Sequence, residues 1–228
     1  MHIGIIGAGT VAQTLGDKLA ELGHRVTISS RDTSRAHETR RGTIPSADEW
    51  VAGQRQLRRA VEAASFAGAA SRGRDFIINC TEGIYSLQAL ELAGRENLAG
   101  KILVDVANPL DFSQGAPRLA YCNESLGEQI QKAFPETRVV KTLNTVTAAV
   151  MVDPRQLPGE TDVFIAGNDP EAKAWVEHRL LRDAFGWTSV IDLGDITGAR
   201  GAEMYLPLWI QLWGAKGTGI LNVKVLAA

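Results

Sequence analysis

The sequence predicts an α/β protein with a doubly wound, mostly parallel sheet. Three observations carry this. Apolar β-rich runs alternate with helical patterns along the whole chain. The inner runs, such as "DFIINC" and "KILVDV", are continuously apolar, as parallel strands covered on both faces must be. The first run ends in "GAG" and passes directly into a helical pattern.

The elements follow in order. "HIGII" is a strand, and "TVAQTLGDKLAELG" places Val11, Leu15, Leu19 and Leu22 at helical spacing before stopping at Gly23. "HRVTISS" is a second strand, completing a βαβ unit about thirty residues long. "SADEWVAGQRQL" starts a helix with Ser46 as cap and Glu49 three residues on. "AVEAAS" reads as a short strand and "FAGAASRG" as a short helix. After them come the strand "DFIINCTE", the helix "YSLQALELAG", the strand "KILVDVANP", the helix "SLGEQIQKAF" and the strand "RVVKTLNT". "TDVFIAGND" is one more strand, and "DPEAKAWVEHRLLRDAFG" a long helix with Pro170 in its first turn. "TSVIDLGD" is a strand. "EMYLPLWIQLWGAK" is a helix apolar on nearly every face, to be buried or to form an interface, with a kink or break at Pro207. "ILNVKVLA" alternates and reads as a final edge strand. Prolines 154 and 158 set a boundary near Thr147 to Gly159, between a nucleotide-binding domain at 1–150 and a smaller part at 151–228 covering the cleft.

Composition narrows the function. With 228 residues, 45% of them hydrophobic, the chain supports a substantial core. A net charge of −2 provides no positive field for nucleic acid or an anionic membrane. No run approaches the ~18 apolar residues of a membrane span, and no leader pattern precedes the first strand, so a cytoplasmic protein is expected. The two cysteines, Cys80 and Cys122, make no disulfide framework and no metal-ligand spacing, and both are expected to be reduced.

"Gly7-Ala8-Gly9-Thr10-Val11-Ala12" fits the dinucleotide fingerprint G-x-G-x-x-G/A. Gly7 permits the tight turn, Gly9 lets a pyrophosphate approach the backbone, and Ala12 lets the helix pack on the strand. The free N–H groups of the helix start then face the phosphates. At the end of the second strand, where an acid would grip the ribose of NAD, stand Ser29, Ser30 and Arg31. Hydroxyls and an arginine suit the 2′-phosphate of NADP, and Arg35 lies one helical turn beyond Arg31. Asp32 lies past the strand, pointing to solvent or capping a helix.

The other strand ends, Cys80-Thr81-Glu82-Gly83, Ala107-Asn108-Pro109 and Leu143-Asn144-Thr145, should converge on the nicotinamide half. Asn108, Asn144 and Thr145 are candidate contacts, with Asn144 the one candidate catalytic residue. Glu82 is as readily a strand-ending turn as a contact. Lys141 and Asp105 lie within apolar strands as a buried pair, a base, or side chains reaching the rim. His2, His24, His37 and His178 read as structural or exposed. Arg200 and Glu203 are a surface pair or line the site. Only Glu82, Tyr85, Lys141 or Glu203 offers a proton to a carbonyl or imine substrate.

The stretches "IGIIGAGTVAQTLGDKLAELGH", "SSR", "VVKTLNT" and "GARGAEMYLPLWIQLWG…GILNVKV" resemble the NADP oxidoreductases that depend on coenzyme F420. The resemblance implies a Rossmann-like domain holding NADP(H), with a deazaflavin stacked on the nicotinamide beneath the C-terminal segment. It implies NADP contacts at Thr10, Val11, Ser30, Arg31 and Arg35, and nicotinamide-side contacts near Thr81, Asn144 and Thr145. The expected function is hydride transfer between NADP(H) and a deazaflavin-type planar acceptor. The alternatives are reduction of a flavin, ferric iron, an imine or a carbonyl, or NADP sensing without turnover. The apolar C-terminal helix and final strand further suggest a homodimer.

Overall fold

The computed structural model describes residues 1–39, 42–111, 113, 117–121 and 123–227. Cys122 lies outside them. The fingerprint region folds as read: β1 (His2–Ile6), α1 (Thr10–Glu21) and β2 (Arg25–Ser29). A hairpin absent from the sequence reading follows, β3 (His37–Thr39) with β4 (Gly42–Ile44). Its strands have three residues each, too few to show a period of two.

Next come α2 (Ala47–Gln56), β5 (Val61–Ala64), α3 (Phe66–Arg72), β6 (Phe76–Asn79), α4 (Ser86–Ala93), α5 (Arg95–Leu98) and β7 (Ile102–Asp105). The helix α2 starts with the expected capping box: Glu49 N–H donates to Ser46 Oγ at 3.2 Å, and Ser46 N–H to Glu49 at 2.8 Å. A second small hairpin, β8 (Leu110–Asp111) with β9 (Arg118–Leu119), precedes α6 (Leu126–Ala133) and β10 (Arg138–Thr142).

The remainder is α7 (Ala148–Val152), β11 (Asp162–Ala166), α8 (Pro170–Trp175), β12 (Ser189–Asp192), α9 (Ala199–Met204) and α10 (Leu206–Lys216). The long helix expected from Asp169 is α8 followed without a break by wider π-helical turns at Val176–Ala184. Asp169 caps it, accepting from the N–H groups of Glu171 and Ala172.

One eight-stranded sheet runs β12-β11-β10-β7-β6-β1-β2-β5. Every adjacent pair is parallel except β10 with β11. The order reverses between β1 and β6, which places the crevice at their carboxyl ends. Two hydrophobic cores fill the two faces. Ile3, Ile5, Leu15, Leu19 and Val104 are in one; Ile6, Leu90, Leu103, Ile130 and Val139 are in the other.

The first C-terminal expectation, a break beside Pro207, is met, and the second changes. The apolar helix divides at Tyr205, one residue before α10, with Pro207 in the first turn of α10. The final stretch forms no strand among the described residues. It is pinned instead around one buried carboxylate: Lys224 Nζ and Val225 N–H donate to Asp162 at 2.8 and 2.6 Å. Asn222 donates to the Asp162 carbonyl, and Asp162 N–H to Val223 O at 3.3 Å. Side-chain anchors on one residue replace the repeated backbone ladder of a strand.

Candidate functional site

The Gly-rich turn is held from both sides. Gly7 has φ +120°, and a Cβ there would sit 2.8 Å from the Cys80 carbonyl, so only glycine fits between the ends of β1 and β6. A Cβ on Gly9 would meet nothing within 4 Å; its backbone borders open space. Gly9 is also the N-cap of α1, with no side-chain cap and no acid in the first turn. The donors of that helix start are left for an anion.

Two cavities open at the crevice and share Cys80 and Thr81 as a common wall. The smaller, about 290 Å³, is bordered by Gly7, Gly9, Ser30, Arg31, His37, Glu82 and Tyr85. Ser30 Oγ is buried with no hydrogen-bond partner. Arg31 is exposed and forms no ion pair among the described residues. Asp32 is turned away: Ser34 donates to its carboxylate from both N–H and Oγ, which holds it below the usual range. Among the described residues, no acid from the segment after β2 borders the smaller cavity, whose one carboxylate is Glu82. Arg35 is exposed and borders neither cavity, whereas His37, read as structural or exposed, forms part of the wall. The missing signal was the hairpin that delivers it.

The larger cavity, about 980 Å³, is bordered by Thr10, Val11, Asn108, Asn144, Trp209 and Trp213 among others. Asn144 owes its place to Leu143, which has φ +61° and turns the chain sharply at the end of β10. Asn144 Nδ2 donates to Asn108 Oδ1 at 3.0 Å and to the Ala202 carbonyl at 3.2 Å. Asn108 Nδ2 donates back to the Asn144 carbonyl at 2.7 Å. Both neighbours of Nδ2 are acceptors, so the amide cannot be flipped, and Asn144 Oδ1 is left buried without a donor. Thr147 Oγ1 and Trp209 Nε1, also at this cavity, are likewise buried and unpartnered. Thr145 is buried with an unpartnered hydroxyl but borders neither cavity.

No Asp, Glu, Lys, Arg, His or Tyr borders the larger cavity among the described residues. The one ionisable group there is the Cys80 thiol, which burial and the Asp105 charge push upward, so it stays protonated.

Lys141 is no base. It lies fully buried, 2.9 Å from both Asp105 and Glu203, and donates to the Ala107 carbonyl at 2.5 Å. Burial pulls its pKa down, but the two carboxylates outweigh burial and hold the ammonium above its ordinary value. Glu203 also accepts from the N–H groups of Leu126 and Gly127 at the start of α6. Arg200 and Glu203 are therefore not a pair: Arg200 binds Glu128 at 2.5 Å instead. Asp105 extends the network through Asn79 Nδ2 at 2.8 Å, and Asn79 Oδ1 accepts from Thr81 Oγ1 at 2.8 Å. The triad thus positions the wall shared by the two cavities without touching their contents.

The orphaned Ser30 Oγ, the uncapped α1 start, the open space at Gly9 and the unpaired Asn144 Oδ1 fit a dinucleotide with an extra phosphate. Among known proteins, the family described as NADP oxidoreductase, coenzyme F420-dependent, matches residues 2–109. The crystal structure of a putative F420-dependent NADP reductase from Arthrobacter sp. FB24 is 50% identical, covers 100% of both chains and superposes with a TM-score of 0.90. The F420-dependent NADP reductase of Methanothermobacter marburgensis is 28% identical over 93% of this chain and 92% of its own. Metalloreductase STEAP3 of Rattus norvegicus is 32% identical over 91% of this chain, which spans only 37% of that protein.

Proposed function

Because the chain belongs to the coenzyme F420-dependent NADP oxidoreductase family, we propose that it transfers a hydride between NADP(H) and a deazaflavin-type planar acceptor. Gly7, Gly9 and the α1 start would hold the pyrophosphate, and Ser30 and Arg31 the 2′-phosphate. Asn144 Oδ1 would accept from the carboxamide of the nicotinamide, with Thr81 across the shared wall. The chemistry supplied by the bound cofactor is hydride donation.

One observation carries the choice of acceptor. The larger cavity is roomy, mostly apolar and, among the described residues, free of acid–base side chains apart from a protonated thiol. Hydride transfer between two rings needs alignment in a dry cleft, which such walls provide. Reduction of an imine or carbonyl needs a proton donor. Of the four candidates, Lys141 and Glu203 are locked in the buried triad, and Glu82 and Tyr85 border the smaller cavity. A sensor without turnover has no use for 980 Å³ of space beneath Trp209 and Trp213.

The C-terminal part would act as the roof of this cleft, and a second copy of the chain would cover the outer side of α10. There Leu208 is 54% exposed, as is Met204 at 46% one turn earlier. Sedimentation at micromolar concentration is expected to give a dimer, and a monomer alone would reject that part.

The deciding experiment uses NADPH deuterated at its reactive carbon, mixed with a deazaflavin, a free flavin or a ferric chelate. Deuterium is expected on the deazaflavin. Transfer to another acceptor alone, or to none, overturns the reading.

A further inference from the structure

The smaller cavity is bordered by an imidazole that the sequence reading placed elsewhere. His37 begins β3, with Ile44 opposite it. Successive side chains of a strand point to opposite faces. Glu38, the next residue, accepts from Thr43 Oγ1 at 3.0 Å, directly across the hairpin. Its carboxylate is thereby held by the partner strand, while His37 borders the cavity with Ser30 and Arg31. The imidazole has no hydrogen-bond partner among the described residues, and neither do the Arg31 guanidinium and the Ser30 hydroxyl. Three groups suited to an anion therefore border one cavity, two from the turn after β2 and one from a hairpin.

We propose that His37 is a specificity-determining residue for the cofactor: its ring N–H donates to the 2′-phosphate opposite Arg31. This rests on the NADP reading above and adds the group that closes the phosphate from the hairpin side. Arg35, one helical turn past Arg31 in a sequence view, does not border the cavity. Phosphate has three acceptor oxygens and takes donors from several directions at once.

The test compares binding of NADPH, NADH and 2′,5′-ADP to the wild type, His37→Ala, His37→Lys and Arg31→Ala by titration calorimetry. His37→Ala is expected to weaken NADPH and 2′,5′-ADP on the order of tenfold, the scale of one charge-assisted hydrogen bond. NADH should change less than about twofold, and His37→Lys should recover most of the loss. If His37→Ala leaves NADPH unchanged while Arg31→Ala weakens it, the NADP reading stands and the role of His37 is rejected. Equal loss of NADH and NADPH would make His37 a structural residue of the hairpin. A wild type that binds both cofactors equally would instead remove the NADP reading itself.

Discussion

The cavity beneath the Gly-rich turn is ringed by Arg31, His37, Glu82 and Tyr85, whereas the cavity beneath α10 has no ionisable side chain but Cys80 among its described walls. They meet at Cys80 and Thr81 and are built on the same sheet. The contrast divides the work. In the proposed function, charge and unpaired donors would anchor a polyanion at one end, where binding energy is needed and chemistry is not. Apolar walls at the other end would exclude water and leave alignment as the main contribution. The buried Lys141–Asp105–Glu203 triad lies behind both, joining β10, β7 and α9.

The largest expected effect comes from breaking that common support. Lys141→Met leaves two buried carboxylates without their cation and should cost about 3–5 kcal/mol in urea unfolding. Adding Glu203→Gln should restore part of the loss. Because the folded state raises the Lys141 pKa, its contribution is complete below about 10.4, the unfolded value, and is lost as pH rises through the higher folded one. A stability unchanged in Lys141→Met would show that the triad supports neither cavity.

Next is the charged end. Arg31→Ala should weaken NADPH by about 1.5–3 kcal/mol and leave NADH nearly unchanged. Losses that are equal for the two cofactors would erase the distinction between an anchoring cavity and an aligning one.

The apolar end is sharpened by Asn144→Ala. It should lower kcat roughly ten- to a hundredfold by misalignment, with no new ionisation in the pH profile. A change in the pH dependence would mean that this cavity does acid–base work after all.

The smallest effect concerns the roof. Arg200 on α9 holds the Glu128 carboxyl of α6 down at about 2, helped by the Ser125 cap. Glu128 therefore contributes stability above the ordinary carboxylate range near 4.3, and the contribution fades as pH falls toward 2. Arg200 is exposed to solvent, so screening keeps the contribution of the pair small. Glu128→Gln should lower the melting temperature slightly at pH 7 and flatten the acid limb of the stability curve.

What sequence could and could not show differs between the two cavities. Gly7, Gly9, Ser30 and Arg31 were readable because a turn, a helix start and a strand end lie within one βαβ unit. His37 was not, because three-residue strands carry no periodic signal and its exposure looked like that of any polar loop residue. On the apolar side, Asn144 was readable as a strand end. Its amide orientation was not, since that depends on Asn108 and on Ala202, 58 residues away. The α10 helix was ambiguous for a physical reason: one side borders the cavity through Trp209, and another exposes Leu208 to solvent, so both faces are apolar.

By itself the sequence determined the alternation of strands and helices, the Gly-rich turn and the absence of an acid at the end of β2. These depend on local sterics, on hydrophobic period and on the dipole of a single helix, all written within about thirty residues. Only the tertiary structure decided that β11 runs antiparallel, that the last residues gather around Asp162, and that Lys141 is an ion-pair centre. Those outcomes turn on which distant carboxylate, carbonyl or strand edge is available once the chain is packed. A buried charge or an open edge takes the partner that packing brings within about 3 Å, and no local pattern encodes that distance.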